Sequence, residues 1–207
     1  MAQILKFNYS LLPEVCALLH RIWFEYGDPK KQFFNKLLAV HYFLYCLKRS
    51  SKAYCITDSN AVTGFILLKQ KSKKPRFFMS KIVFKVLGGF LSLFAQCREG
   101  LKVHALYAYN YAKLQQYYPT DKYDAEIVLL IIDPKLQGKG LGRKLIDFAI
   151  KKVRKEGAQN VFLLTDTSCN YKFYDLLMFK QVAKRKGGYL YEGQESPEYF
   201  FVYEKNL

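Results

Sequence analysis

The residues whose types and spacing point most directly to chemistry form the loop 137–142 (QGKGLG), in which three glycines fall within six positions. Glycine lets a backbone approach a ligand closely and adopt conformations that other residues avoid. The loop separates an apolar segment from the start of a helical pattern, and the N–H groups at a helix start attract anions. Lys139, Arg143 and Lys144 add positive charge beside it. Such a loop predicts a phosphate or pyrophosphate ligand.

The spacing of the glycines indicates which type of phosphate-binding loop this segment resembles. The dinucleotide fingerprint GxGxxG would need a third glycine where Arg143 stands, and a Walker A loop would need GxxxxGK[ST]. The pattern that fits is [QR]xxGx[GA], with Gln137, Gly140 and Gly142. Six residues alone leave open a helix start that is tight because of its glycines and binds nothing.

The elements that must position this loop follow from hydrophobic periodicity and turn residues. Strands are predicted at residues 3–7, 52–57, 61–69, 127–132, 161–164, 179–183 and 198–203. Helices are predicted at residues 12–24, 30–48, 141–153 and 171–177. The stretch 70–122 is predicted to form two or more helices inserted between strands. This order predicts an α/β protein with a mixed central sheet and helices on both faces.

Length, charge and cysteine content limit the class of protein. The 207 residues suffice for one buried core, which predicts a single domain over residues 1–207. A net charge of +16 predicts an anionic ligand, but the Lys and Arg clusters are too short for a nucleic-acid-binding arm. Five cysteines without CxxC spacing, and no signal peptide, predict free thiols and a cytoplasmic protein. The three histidines form no metal-binding pattern.

Residues 77–95 (FFMSKIVFKVLGGFLSLFA) are apolar over about the length of a membrane span. Lys81 and Lys85 lie one helical turn apart, and two lysines without a counter-charge inside a bilayer are costly. Gly88 and Gly89 interrupt the middle of the segment. We therefore predict a buried or interfacial amphipathic helix and no membrane span.

Several segments resemble the GNAT superfamily of acetyl-CoA-dependent N-acetyltransferases, in the family's order. Residues 126–146 (EIVLLIIDPKLQGKGLGRKLI) resemble its central strand, pyrophosphate loop and following helix. Residues 161–179 (VFLLTDTSCNYKFYDLLMF) resemble the next strand and helix, with the Tyr-x-x-x-Gly-Phe signature at 174–179 and Met178 in place of glycine. Residues 61–66 (AVTGFI) are similar to the third strand. The resemblance is strong over 124–182, fair over 3–69 and absent over 70–122.

The resemblance implies a GNAT fold in which the central strand parts from its neighbour after a bulge and opens a slot for acetyl-CoA. It implies that backbone groups of Leu130, Ile131 and Ile132 pair with pantetheine. The expected pyrophosphate site consists of Gln137, Gly138, Lys139, Gly140, Leu141, Gly142 and Arg143. Asn170 is expected either to bind the pantetheine amides or to cap the following helix.

The implied chemistry is attack of a neutral amine on a thioester. A lysine-like amine has a pKa near ~10.4, so a general base helps. Glu126 matches the position of the family's glutamate base, with Asp124 in reserve; an exposed carboxylate at a strand start is the alternative for Glu126. Tyr174 matches the tyrosine that donates a proton to the leaving thiolate, and a core tyrosine is its alternative.

The resemblance implies an acceptor that is a primary amine of a small molecule or a peptide. Overall basicity slightly favours an acceptor with a negative group. Its pocket is expected from the first two helices, the insertion and the last hairpin. The candidate lining residues are Trp23, Glu25, Tyr26, Tyr107, Tyr109 and Tyr111. A non-catalytic CoA-binding sensor of the same fold is the first alternative, and a basic module for nucleic acid or an anionic membrane is the second. A monomer or a homodimer is expected.

Overall fold

The computed structural model describes residues 2–25, 32–58, 61–191 and 194–207, without the side chains of residues 189–197. Its seven-stranded sheet has the order β1-β2-β3-β4-β5-β7-β6. The strands are β1 (Gln3–Lys6), β2 (Lys52–Asp58), β3 (Ala61–Gln70), β4 (Ala125–Ile132), β5 (Asn160–Asp166), β6 (Lys180–Tyr191) and β7 (Gln194–Asn206). β4 and β5 are parallel and the other neighbours are antiparallel, which confirms the predicted mixed sheet.

Helices cover both faces of this sheet. They are α1 (Leu12–Trp23), α2 (Gln32–Leu47), α3 (Phe78–Ser92), α4 (Ala95–Tyr117), α5 (Leu141–Arg154) and α6 (Lys172–Asp175). The core under α1 and α2 contains Phe43, Phe65 and Leu129, and the core under α5 contains Ile127 and Leu163. Residues 26–31, with the predicted start of the second helix, lie outside the described ranges.

The apolar stripe of α5 fixes this helix on the sheet. Leu145, Ile146, Ala149 and Val153 recur at helical spacing, and all four are buried against the sheet. Lysines and arginines occupy the opposite side. Because the stripe sets how α5 lies on the sheet, it also aims the helix N-terminus and the preceding glycine loop.

β4 parts from β5 after a short paired stretch. The parallel pairing joins only Ala125 with Val161, Glu126 with Phe162 and Ile127 with Leu163. On its other edge β4 stays paired with β3 as far as Ile132, and a register shift there leaves Val128 as an extra, bulged residue. The expected bulge and parted strand pair are thereby confirmed.

The predicted helical insertion consists of α3 and α4. α4 packs on the sheet beside β6 and β7, with Leu114 against Phe162 and Phe200. This is the α1/α2 side of the sheet, because Phe200 alternates with Phe201, which faces α5. α3 packs outside the sheet, on α2 and α4. No helix within the described ranges is both long and apolar enough to cross a membrane.

The last two strands are much longer than predicted. The prediction ended the sixth strand at residue 183, before Gly187 and Gly188, yet β6 continues through both glycines to Tyr191. A Cβ at Gly187 would lie 2.5 Å from the Asn110 side-chain oxygen and 2.7 Å from the Phe200 ring. Glycine stands here because α4 approaches the strand closely, not because the strand ends.

Candidate active site

The glycine loop lies between the end of β4 and α5, held by Asp133. The Asp133 carboxylate accepts hydrogen bonds from the Arg21 guanidinium of α1 at 2.9 Å and from the Lys135 N–H at 3.0 Å. Gly138 and Gly140 have φ angles of 80° and 75°, the left-handed region that favours glycine. An added Cβ at either residue would meet nothing within 4 Å, so the loop borders open space.

Gly140 is the N-cap of α5, and no side chain caps this helix. The first turn of an α-helix leaves several N–H groups without intrahelical acceptors, so Leu141, Gly142 and Arg143 present theirs at the loop. A Cβ on Gly142 would lie 3.0 Å from the Phe173 ring, which shows how closely the helix start approaches α6. The loop and the helix start therefore form a tight, accessible concavity, in which the N–H groups of the first helical turn are available to a ligand. The N–H groups of Gln137 and Lys139 instead donate to carbonyls of the preceding turn.

Three predicted cations lie around this concavity, and two of them already donate hydrogen bonds to backbone carbonyls. The Arg143 guanidinium donates to the Leu176 carbonyl at 3.1 Å, and Lys144 donates to the Ala2 carbonyl at 2.7 Å. Lys139 is exposed at the tip of the loop. Lys139 is thus the cation best placed to reach an anion on the concavity.

The edge of β4 that faces β5 continues toward this loop without a strand partner in the described part of the chain. Leu130, Ile131 and Ile132 form this edge beyond the last β4–β5 pair. Asn170 is exposed across the gap, after the end of β5. The N-cap of α6 is Tyr171 rather than Asn170, and the helix has no side-chain cap, so the Asn170 amide has no capping role.

Tyr174 lies on α6 with its ring 5.9 Å from that of Phe179 and 5.8 Å from that of Tyr203. Burial raises its pKa, and the nearby Cys169 and Asp166 raise it further. No hydrogen bond joins its hydroxyl to another residue in the described ranges. The phenol is therefore kept protonated, in the form that can donate a hydrogen bond.

The turn after Tyr174 keeps a glycine conformation without a glycine. Met178 has a φ angle of 60°, and no other non-glycine residue in the described ranges has a positive φ. The Phe179 N–H donates to the Tyr174 carbonyl and the Met178 N–H to the Asp175 carbonyl, which is the Schellman pattern that usually has glycine at this position. The substitution at Met178 has left the backbone turn of the signature in place.

Glu126 is buried in an ion pair rather than exposed at a strand start. One Arg49 guanidinium nitrogen lies 2.6 Å from Oε1 and 2.8 Å from Oε2 of Glu126. Glu126 also lies within the three-residue stretch where β4 and β5 are still paired. Asp124, the reserve candidate, accepts from the Gln159 N–H at 2.7 Å.

A second buried acidic group lies at the opposite, open end of β5. Asp166 ends β5 and accepts hydrogen bonds from the Tyr111 hydroxyl of α4 and from the Ser168 hydroxyl. Glu198 of β7 accepts from the Tyr107 hydroxyl at 2.8 Å through Oε1. Its Oε2 is buried without a partner among the described residues. Burial raises the pKa of Glu198, and Asp166 raises it further against the lowering effect of Tyr107.

Sequence reasoning missed this acidic cluster because no motif connects its members. Asp166 and Glu198 lie far apart in sequence, and their tyrosine partners come from the insertion, for which no resemblance was predicted. Burial raises the pKa of Tyr42 on α2, and Cys46, Cys169 and Asp166 raise it further. The abundance of tyrosine in 105–118 was the one available signal.

The predicted lining residues have mixed positions. Tyr107 and Tyr111 reach the acidic cluster directly, and Trp23 packs edge-on against Tyr42 at 5.6 Å. Tyr109 and Glu25 are exposed, and Lys113 lies over the Tyr109 ring. Tyr26 lies outside the described ranges.

The parted strand pair, the glycine loop at a helix start and the mixed sheet define a GNAT fold. Residues 94–177 match the model of the acetyltransferase (GNAT) family, which confirms the resemblance. The match starts within the insertion and includes nearly all of α4, so the predicted absence of resemblance over 70–122 is wrong from residue 94 onward. No curated protein is significantly similar to this chain in sequence.

Solved structures of acetyltransferases share the fold at low identity. An N-acetyltransferase from Staphylococcus aureus aligns with a TM-score of 0.57 and 13% identity, covering 100% of this chain and 98% of its own. The ribosomal-protein-S18-alanine N-acetyltransferase from Escherichia coli aligns at 0.56 and 14%, covering 100% and 96%. A Bacillus subtilis acetyltransferase in complex with CoA aligns at 0.52 and 16%, covering 100% and 99%.

Proposed function

We propose that this protein is an N-acetyltransferase that transfers the acetyl group of acetyl-CoA to a primary amine of a small molecule or peptide, by direct attack in a ternary complex. The observation that carries the proposal is that β4 leaves β5 after Ile127, beside a glycine loop that borders open space. A parted strand edge suits an amide-bearing pantetheine arm, and a concavity of N–H groups suits a pyrophosphate. The GNAT family match implies acyltransferase activity in general.

The cofactor would lie along the open edge of β4, with its two ends held by different groups. Gln137, Gly138, Lys139, Gly140, Leu141, Gly142 and Arg143 would hold the pyrophosphate. Backbone groups of Leu130, Ile131 and Ile132 would pair with pantetheine, and the exposed Asn170 amide would bond to it from the opposite side of the gap. A β4 N–H directed at the thioester carbonyl would stabilise the developing oxyanion.

Tyr174 would donate a proton or a hydrogen bond to the thiolate of CoA as the carbon–sulfur bond breaks. Its position on α6 supports this role. Its raised pKa keeps the phenol neutral, which suits a hydrogen bond to the thiolate better than full transfer of the proton. The same raised pKa makes Tyr174 unsuitable as the base that removes the proton of the amine.

Two carboxylates are candidates for the base, and their surroundings differ. Glu126 remains the candidate from the sequence, but both its oxygens already accept hydrogen bonds from the Arg49 guanidinium. Glu198 has an oxygen without a partner among the described residues and a raised pKa. These are the properties expected of a base near neutral pH, so we favour Glu198, with Asp166 beside it.

The position of the acidic cluster also suggests where the acceptor binds. Tyr174 packs with the core under α5, whereas Asp166 bonds to Tyr111 on the α4 side. The acetyl group would thus lie in the gap between β4 and β5. Tyr174 would approach it from one side of the sheet, and the amine would approach from the other side. An ammonium group would be attracted by Asp166 and Glu198, so the basicity of the whole chain does not describe its pocket.

CoA titration calorimetry on a pair of glycine variants tests the cofactor site. Gly140 and Gly157 both have left-handed φ angles and open space at Cβ, so Gly140→Glu and Gly157→Glu carry similar backbone strain. Only Gly140→Glu places a carboxylate in the phosphate concavity, and we expect it to weaken CoA binding by at least ~100-fold. Equal CoA affinity in both variants would refute the loop assignment.

Thiol release from acetyl-CoA, screened with amines, amino acids, polyamines, aminoglycosides and N-terminal peptides, tests the transfer itself. Turnover that requires an amine, with an acetylated product seen by mass spectrometry, is the expected result. Tight CoA binding without turnover on any amine would instead favour the non-catalytic CoA-binding sensor.

A further inference from the structure

Helix α3 has apolar side chains on two opposite sides. Its inner side packs against the rest of the protein through Leu91 and through Phe84, whose ring stacks on His41 at 4.3 Å. The outer side carries seven large apolar residues that are between 45% and 73% exposed. They are Phe78, Met79, Ile82, Val83, Val86, Phe90 and Leu93, which we call the outer face.

The outer face is one continuous stripe and not a scatter of single residues. Met79, Ile82, Val83, Val86 and Phe90 each have another member of the group three or four positions away, so they share one side of the helix. Single exposed apolar residues need no explanation, but a contiguous apolar surface of this kind marks an interaction site.

The charge around the outer face has a single sign. From residue 59 to residue 98 the chain contains no Asp or Glu, and it contains eight Lys or Arg. Lys81 and Lys85 lie beside the apolar stripe. They lie near Lys48, whose pKa is lowered by burial first and then by the charges of Arg49, Lys81 and Lys85. An anion on this side would relieve the repulsion among these lysines.

A basic groove lies directly before α3. It has a volume of about 590 Å³, and five of its eleven lining residues are cationic: Lys6, Lys52, Lys73, Lys74 and Arg76. Glu156 lies at the same groove and pairs with Lys52, and more distantly with Lys73 at 3.9 Å. Cations still outnumber the one carboxylate, so the groove has the size and the charge to accept an anionic headgroup.

We propose that the outer face of α3 and the basic residues beside it bind the surface of an anionic phospholipid membrane. The helix would lie in the plane of the interface, with the outer face among the acyl chains and the lysines among the headgroups. At 15 residues α3 is too short to cross a bilayer, which fits a peripheral position.

Charge complementarity favours this occupant over a second copy of the chain. A symmetric dimer through the outer face would bring Lys81 and Lys85 of both copies together, which costs energy without a counter-charge. A polyanion such as nucleic acid would satisfy the lysines but leave the apolar stripe exposed. An anionic bilayer satisfies both halves of the surface.

Co-sedimentation with lipid vesicles tests the proposal on the full chain. The wild type should bind vesicles of phosphatidylcholine mixed with phosphatidylserine, bind pure phosphatidylcholine weakly, and lose binding as salt rises. Val83→Asp/Val86→Asp should lower the partition coefficient by at least ~10-fold and Lys81→Glu/Lys85→Glu by at least ~30-fold. All four residues are exposed, so circular dichroism should show unchanged folding.

Two matched controls isolate the surface. Tyr117→Asp changes an apolar residue that is 73% exposed at the end of α4, and Lys151→Glu/Lys155→Glu changes the net charge as much as the α3 pair does. Both should bind vesicles nearly as the wild type does. Absence of binding to phosphatidylserine vesicles at low salt, or equal losses in the controls, would overturn the proposal. So would a dimer in analytical ultracentrifugation that Val83→Asp/Val86→Asp dissociates while vesicles bind nothing.

Discussion

A buried carboxylate lies near each end of the β4–β5 pair, Glu126 on β4 and Glu198 on the neighbouring β7, and the two have opposite surroundings. At the closed end, where the strands still pair, the Glu126 carboxylate is held by Arg49 at 2.6 and 2.8 Å. At the open end, Glu198 has one tyrosine partner and one oxygen without a partner in the described part of the chain. Burial alone therefore does not distinguish the two carboxylates, and the proposal that Glu198 is the reactive one rests on the different occupancy of their oxygens.

The largest expected effect is loss of turnover on removing the open-end carboxylate. Glu198→Gln should lower kcat/KM by about 1000-fold, because a general base contributes on the order of 10²–10⁴-fold. Glu204→Gln is the matched control, since Glu204 also lies on β7 and accepts a tyrosine hydroxyl, that of Tyr123. The control should keep the wild-type rate.

The pH dependence sharpens the same prediction. Glu198 must be ionised to accept a proton, so kcat/KM should rise with pH as Glu198 loses its own proton. Because burial and Asp166 raise the pKa of Glu198, this rise should fall above the ordinary range for a glutamate. The rise of kcat/KM with pH should be absent in Glu198→Gln. If the rise persisted in Glu198→Gln but disappeared in Glu126→Gln, Glu126 would be the base instead.

The second effect is a loss of stability at the closed end. Arg49→Met leaves the buried Glu126 carboxylate without its counter-charge, and the free energy of unfolding should fall by about 3 kcal/mol. The double variant Arg49→Met/Glu126→Gln should recover most of this loss in urea unfolding. If Glu126→Gln alone abolished turnover with normal CoA affinity, Glu126 would be reactive and the contrast between the two ends would fail.

The third effect concerns the leaving group. Tyr174→Phe should slow turnover by about 100-fold and leave CoA affinity nearly unchanged, because only the hydroxyl is removed. Tyr203→Phe removes the hydroxyl of the ring 5.8 Å away, whose partner is Gln181, and should be nearly silent. Equal rates in the two variants would remove the acid role of Tyr174.

The smallest effect is a gain in stability at the open end. Met178 has φ 60° and is 80% exposed, so it bears backbone strain without burying its side chain. Met178→Gly should raise the free energy of unfolding by about 1 kcal/mol, and Met178→Ala should not, because alanine keeps the strain. Thermal unfolding of the two variants measures these changes. An equal gain in stability from Met178→Ala would show that Met178 bears no backbone strain.

The sequence predicted the elements that form the site better than the contacts of the carboxylates within it. The helix α5 and strand β4 follow from strong periodicity and a wholly apolar run, and the glycine loop from its spacing. The partners of Glu126 and Glu198 could not be predicted, because Arg49 and Tyr107 reach them from distant helices. The predicted strand 179–183 is too short, because β6 continues through Gly187, where glycine permits the close approach of Asn110.

The bulge at Val128 has a consequence for the composition of its strand. Side chains of a regular strand alternate, so Ile127, Leu129 and Ile131 would all face one layer. The extra residue reverses the alternation midway: Ile127 packs under α5, while Leu129 and Ile131 pack under α1 and α2. The single insertion that frees the strand edge thereby also moves aliphatic groups from one core to the other. β4 tolerates this reversal because its residues 127–132 are all aliphatic, and an aliphatic side chain fits the core on either face of the sheet.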